Sequence, residues 1–116
     1  MKTLVPSEDF EQTLFVEWLE SNGYKYTSIP NSTFTRSWKQ LAKNKRNGLK
    51  PGLPDLLIVL KKKSLLFVEM KRTRGGRVSP EQREWIAALN SIENCSAVVA
   101  TGCECAKKLV REEEKR

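Results

Sequence analysis

The chain has no histidine and only three cysteines, Cys95, Cys103 and Cys105, in 116 residues. A Cys-x-Cys pair with neither a second pair nor an imidazole cannot fill a tetrahedral site, so most zinc arrangements are excluded. The odd cysteine count argues against a secreted disulfide framework and predicts small core or near-surface thiols in a reducing compartment. No apolar run approaches the roughly 18 residues that a membrane span needs, so no membrane is expected among the partners. The opening Met1-Lys2-Thr3-Leu4-Val5-Pro6 has no apolar stretch of signal-peptide length, and the expected location is cytoplasmic. Internal repeats are absent, and the one low-complexity stretch is the charged tail, residues 111–116. Residues 1–116 are expected to form a single domain with a real core.

Acids are scarce where bases are dense. The net charge is +7, but residues 36–83 hold fourteen Lys/Arg against three acids, a local +11, and the remainder is −4. Two of those three acids are Asp55 and Glu69. A basic field focused on a carboxylate pair suits a polyanionic partner. Solubility alone is the bland alternative.

Asp55 opens the apolar run Leu56-Leu57-Ile58-Val59-Leu60. Glu69 and Lys71 close the run Leu65-Leu66-Phe67-Val68, and Lys61-Lys62-Lys63-Ser64 lies between. Two β-rich runs joined by a short polar connection predict an antiparallel hairpin. The fold-back returns Asp55 to the end that carries Glu69 and Lys71. These last two share a face, roughly 7 Å apart along the strand. Asp55 joins them if the loop has three or five residues; a four-residue loop puts it on the wrong face unless a bulge intervenes. The lysine tip is expected to be solvated and remote from Asp55.

The remaining elements follow from caps and periodicity. Ser7 predicts a helix over residues 8–21, with Gly23 past its end. Residues 24–29 form a strand stopped by Pro30. Residues 36–46 form a short basic helix with Trp38, Leu41 and Ala42 inward. Ser79-Pro80-Glu81-Gln82 combines an N-cap, a first-turn proline and a capping-box glutamine, which starts a helix reaching about residue 92. Residues 97–100 are a strand and residues 104–114 a terminal helix. The order α-β-(α)-β-β-α-β-α, with a crossover long enough for a parallel pair, predicts an α/β mixed sheet flanked by helices.

Glu11 falls near the middle of the apolar arc formed by Phe10, Leu14, Phe15, Trp18 and Leu19. A carboxylate there is costly unless paired or metal-bound. Either a role at the site or a buried salt bridge, such as to a lysine, would explain it. Glu8 and Asp9 are favourably placed at the helix N-terminus. Gln82 lies within the apolar face formed by Trp85, Ile86, Ala88, Leu89 and Ile92. Its amide can orient a site water or Lys71, or serve only the capping box. Asn31 is a turn residue with a minor claim on the site. Trp38 and Trp85 are expected in core or interface rather than as base-stacking platforms.

Pro54-Asp55 followed by Glu69-x-Lys71 matches the PD-(D/E)xK nuclease pattern. The frame Gly48-Leu49-Lys50-Pro51-Gly52-Leu53-Pro54-Asp55-Leu56, Phe67-Val68-Glu69-Met70-Lys71 and Val78-Ser79-Pro80-Glu81-Gln82 resembles the VRR-NUC, or virus-type replication-repair nuclease, family. The resemblance spans about residues 8–101 and points to the stand-alone form of phages and bacteria. It implies a restriction-endonuclease-like core and an endonuclease dependent on Mg²⁺ or Mn²⁺ that acts on branched DNA such as four-way (Holliday) junctions. It implies metal binding by Asp55 and Glu69, a catalytic role for Lys71, and an acid from the first helix, which the helical wheel places at Glu11 with Glu8 as fallback. Hard cations take oxygen ligands, so the Met70 backbone carbonyl and, directly or through water, Glu11 are further candidates. Phosphate contacts are expected from Arg36, Lys39, Lys43, Lys45, Arg46, Lys50, Arg72, Arg74 and Arg77. A flap or restriction-like nuclease shares this core. A double-stranded-DNA-binding module without hydrolysis gains nothing from carboxylates facing phosphate. A two-fold junction and the resemblance together predict a homodimer, with Trp38, Trp85, Ala106, Leu109 and Val110 as possible interface or core residues.

Overall fold

A computed structural model of the chain describes residues 4–30 and 36–116. The elements are α1 (Glu8–Ser21), β1 (Lys25–Ser28), α2 (Trp38–Arg46), β2 (Leu56–Val59), β3 (Leu65–Lys71), α3 (Pro80–Asn90), β4 (Cys95–Thr101) and α4 (Cys103–Lys115). The expected order and mixed sheet are observed. The sheet runs β1-β2-β3-β4, antiparallel at the first two pairings and parallel at the third. The parallel pair is bridged by α3, as a β-strand crossover requires. Asn31 lies outside the described residues.

The hairpin explains the parity of the site. Val59 pairs with Leu65 and Leu56 with Val68. The Leu60 N–H donates to Ser64 O at 2.8 Å and the Lys63 N–H to Leu60 O at 3.0 Å. Lys63 has φ 71°. This is a three-residue loop whose last residue is left-handed, one of the two loop lengths that put Asp55 on the Glu69 face. The exposed tip is held at its root by α4, where the Glu114 carboxylate accepts the Lys61 and Lys62 N–H groups at 2.9 and 3.2 Å.

One face of the sheet is apolar. Leu66, Val68 and Met70 of β3 and Leu56 and Ile58 of β2 pack with Phe15 and Leu19 of α1 and Ala106 and Val110 of α4. Strand alternation sends Phe67, Glu69 and Lys71 to the other face. Ala106 and Val110 are fully buried and Leu109 half-buried, so this part of α4 is core rather than interface. Of the predicted α1 arc, Phe15 and Leu19 are buried, whereas Phe10 and Leu14 are partly open at 46% and 40% exposure. The three cysteines are free thiols, Cys103 buried and the others half-buried.

The largest departure from expectation is α2. Trp38, Leu41 and Ala42 are exposed rather than inward, Trp38 at 84%. Among the described residues, α2 packs on no other helix or strand. Its C-terminus explains its direction. The Leu49 N–H bonds Asn44 O at 2.9 Å and the Gly48 N–H bonds Lys45 O at 3.1 Å, with Gly48 at φ 83°. That pair of bonds closes the helix and turns the chain sharply. The apolar periodicity predicted a buried face, but nothing among the described residues lies opposite it.

Candidate active site

The segment before Asp55 is clamped to α3. The Trp85 Nε1–H donates to Pro51 O at 3.1 Å. Gly52, at φ 104°, passes so close to α3 that a Cβ would lie 2.6 Å from the Glu81 carbonyl carbon. Both its conformation and its clearance demand glycine. Pro54 is buried, and the Ile29 N–H donates to Asp55 O at 2.7 Å. Asp55 therefore enters the sheet in a fixed position, one step beyond the Leu56–Val68 pair and across from Glu69.

The side chains then converge. Asp55 Oδ2 accepts the Met70 N–H at 2.8 Å. Glu69 Oε2 accepts Gln82 Nε2–H at 3.0 Å and lies 3.4 Å from Lys71 Nζ. Glu69 and Lys71 are buried, at 2% and 8% exposure. Burial, followed by the charge of Asp55, pushes the Glu69 carboxyl up to about 7, although Lys71 pulls it down. Gln82 serves the helix cap and the site together. Its Oε1 accepts the Ser79 N–H at 2.9 Å and completes the capping box, while its Nε2 holds Glu69. It touches the acid rather than Lys71.

Glu11 is buried as the helical wheel predicts, but its observed partner is a helix end rather than a lysine. Its Oε1 accepts the Cys103 N–H at 3.2 Å. Cys103 begins α4, whose N-cap Gly102 offers no side-chain cap. Glu11 supplies the missing acceptor and places negative charge at a helix N-terminus. Gly102, at φ 95°, makes room for it: a Cβ there would stand 2.8 Å from Glu11 Oε2 and 2.7 Å from Thr73 Cγ2. The sequence marked Gly102 only as a break, and its role as the clearance for Glu11 required a long-range contact. Glu8 is exposed in the first turn of α1.

Among the described residues no three carboxylate or thiol side chains converge as a metal cage. The structure brings together two carboxylates, Asp55 and Glu69, and does not join Glu11 to them in one cluster. Two carboxylates stand beside one ammonium, and burial first and the charge of Asp55 second hold the Glu69 carboxyl raised. A hard divalent cation is the species that relieves such crowding, so the pair fits Mg²⁺ or Mn²⁺.

The predicted phosphate-contacting residues are all exposed, in two groups. Arg72, Arg74 and Arg77 follow Lys71 directly, and the loop folds back so that a Cβ on Gly76 would lie 3.0 Å from Lys71 Cβ. Arg36, Lys39, Lys43, Lys45, Arg46 and Lys50 lie on or beside α2.

Comparison with known proteins accords with this geometry. A solved structure described as a VRR_NUC domain protein superposes with a TM-score of 0.76 and 28% identity, over 99% of this chain and 92% of its own. A second, described as a VRR_NUC domain, shares the fold with a TM-score of 0.64 and 21% identity, over 90% of this chain and 94% of its own. A search of curated proteins returned no significant match. The VRR-NUC domain model matches residues 4–104, which include α1, the hairpin, α3 and β4. The acid pair, its lysine and the sheet that carries them thus lie within the matched region, and the chain belongs to the VRR-NUC family of nucleases.

Proposed function

We propose that this chain is a divalent-metal-dependent, structure-specific DNA endonuclease that hydrolyses phosphodiesters in four-way junctions. The carrying observation is the convergence of Asp55, Glu69 and Lys71 at one end of the sheet, beside an exposed basic loop. Asp55, Glu69 and the Met70 carbonyl would hold Mg²⁺ or Mn²⁺. Glu11, whose carboxylate is engaged by α4, contributes only through water. When bound, the ion would supply Lewis-acid polarisation of the phosphate and lower the pKa of an attacking water.

The chain's own groups do the rest. The Met70 N–H fixes the Asp55 carboxylate, and Gln82 fixes Glu69, so neither acid must reorganise when phosphate arrives. Lys71 donates to a phosphate oxygen and stabilises negative charge as it develops there. Arg72, Arg74 and Arg77 grip phosphates next to the cut, and Lys39, Lys43 and Arg46 of α2 grip more distant ones. Replacing the three loop arginines by Ala should flatten the salt dependence of DNA binding by up to about three log units per log unit of salt.

We further propose that residues 1–116 act as one domain in the cytoplasm of a bacterial or phage-infected cell. The working form is a C₂ homodimer, because a two-fold junction needs two matched cuts. Incubation with labelled duplex, flap and four-way-junction DNA, with Mg²⁺, Mn²⁺ or EDTA, tests the reading. Paired junction cuts that vanish in EDTA are expected. Cleavage of flaps alone would replace junction resolution with flap trimming. Binding without cleavage would leave only a DNA-binding module.

A further inference from the structure

The helix α2 carries an apolar stripe that the described residues of this chain do not cover. Trp38, Leu41 and Ala42, with Lys45 at the stripe's end, recur at i, i+3, i+4 and i+7, the spacing of a helix that lies in a groove. Trp38 is 84% and Leu41 37% exposed. Lys39, Lys43 and Arg46 occupy a neighbouring sector, about 80–140° round the helix from Trp38 at about 100° per residue.

A groove of about 370 Å³ lies between the Lys50–Pro51 segment and α3, with Pro51, Trp85 and Ala88 as its apolar lining. Glu81 and Glu84 rim it on the α3 side and Lys50 on the other. Its volume is within the range of pockets that accept a bulky ring. Residues 36–46 hold five Lys/Arg and no acid, so the arm is complementary in charge to Glu81 and Glu84 across the groove. The arm cannot enter its own groove without unmaking its end. Lys50 lines the groove only four residues after Arg46, the Gly48 and Leu49 bonds close α2 in between, and among the described residues α2 makes no contact with α3. Pairing α2 with another α2 would oppose two basic helices.

We infer that α2 docks in the Pro51–Trp85–Ala88 groove of a second copy of this chain, reciprocally, so that two exchanged arms close one C₂ dimer. The inference rests on the homodimer proposed above and assigns its interface. Trp38 and Leu41 fill the groove, and Lys45 meets the Glu81–Glu84 rim. Lys39, Lys43 and Arg46 stay in solvent, available to phosphate. The contact is isologous and closes without leaving a free arm.

Sedimentation equilibrium without DNA tests it. Trp38→Ala should raise the dimer dissociation constant by about tenfold or more, with an unchanged circular dichroism spectrum. Lys45→Glu and Glu84→Lys should each weaken their own homodimer, because like charges then face each other at both contacts. An equal mixture of these two variants should regain the wild-type dissociation constant, since in the mixed dimer opposite charges face each other at both contacts, one as the native pair and one reversed. A dimer unaffected by these changes, or a mixture no tighter than its components, would overturn the interface and leave the dimer standing. Wild-type protein that stays monomeric through the micromolar range would overturn both. Variants that sediment as wild type and lose only DNA affinity would make α2 a nucleic-acid arm instead. None of these outcomes depends on whether the protein cuts DNA.

Discussion

Between α1 and α4, Glu11 is buried and accepts the first N–H of a helix. Glu69, on β3, is buried more deeply still, but its neighbours are another carboxylate, one lysine and one amide. The two environments use a buried acid in different ways. At Glu11 the charge completes a backbone that lacks a cap, and the fold gains from it. At Glu69 burial and Asp55 both oppose ionisation, and the position is poised to take up a cation. On the proposed function, Glu11 serves mainly stability, and Glu69 is held against stability for its chemistry, as binding sites commonly are.

The largest expected effect would break the comparison outright. Asp55→Asn, Glu69→Gln and Lys71→Ala should each reduce single-turnover cleavage of a labelled junction by at least about a hundredfold, losses typical of removing a charge-stabilising group at a reacting centre. Circular dichroism should stay native. Wild-type turnover by any one of them would remove that residue from the site.

A second measurement separates the two acids by pH. An ordinary glutamate titrates at 4.5, whereas Glu69 is raised to about 7. The folded state therefore holds a proton that the unfolded state releases between those values. Metal-free stability from this group is fully present below about pH 4.5, falls as pH rises, and levels off above about pH 7. The fall is on the order of 3 kcal/mol. Glu69→Gln should abolish that slope and melt higher than wild type at pH 8 without metal. Metal binding requires the ionised form, so apparent Mn²⁺ affinity should rise with pH up to about 7. Calorimetric titration would reveal this, and a pH-independent affinity would contradict the placement of Glu69 beside the ion.

Glu11→Gln should move stability the other way, lowering it by about 1 kcal/mol through the weakened cap of α4. Cleavage should fall less than in the Glu69 variant. A Glu11→Gln protein as dead as Glu69→Gln, yet equally stable to urea, would transfer Glu11 from scaffold to metal site. Glu8→Gln, in an exposed first turn, should change neither cleavage nor the urea midpoint measurably.

Features that depend on a few neighbouring residues are legible in the amino-acid order itself. The Ser79–Gln82 capping box forms both predicted bonds, because its partners are three residues apart. The Asp55–Glu69–Lys71 face follows from hairpin parity once the lysine-rich loop has three residues, and strand alternation admits no compromise. Less legible is what each face meets. The wheel correctly directs Glu11 inward but not to α4, which begins 92 residues later. It likewise gives α2 an apolar stripe without showing that the Gly48 turn holds that stripe clear of the core.

The chain alone thus determined its elements, the parity of its hairpin and the face that Asp55, Glu69 and Lys71 share, because local sterics, capping and period-two alternation are properties of adjacent residues. Tertiary structure alone decided that Asp55 would be held by the Met70 N–H, that Gln82 would reach Glu69, that Glu11 would close a helix, and that Trp38 would face outward. The reason is geometric. A helix or strand fixes the direction in which a side chain leaves the backbone, but its partner depends on which distant element long-range packing carries to that spot.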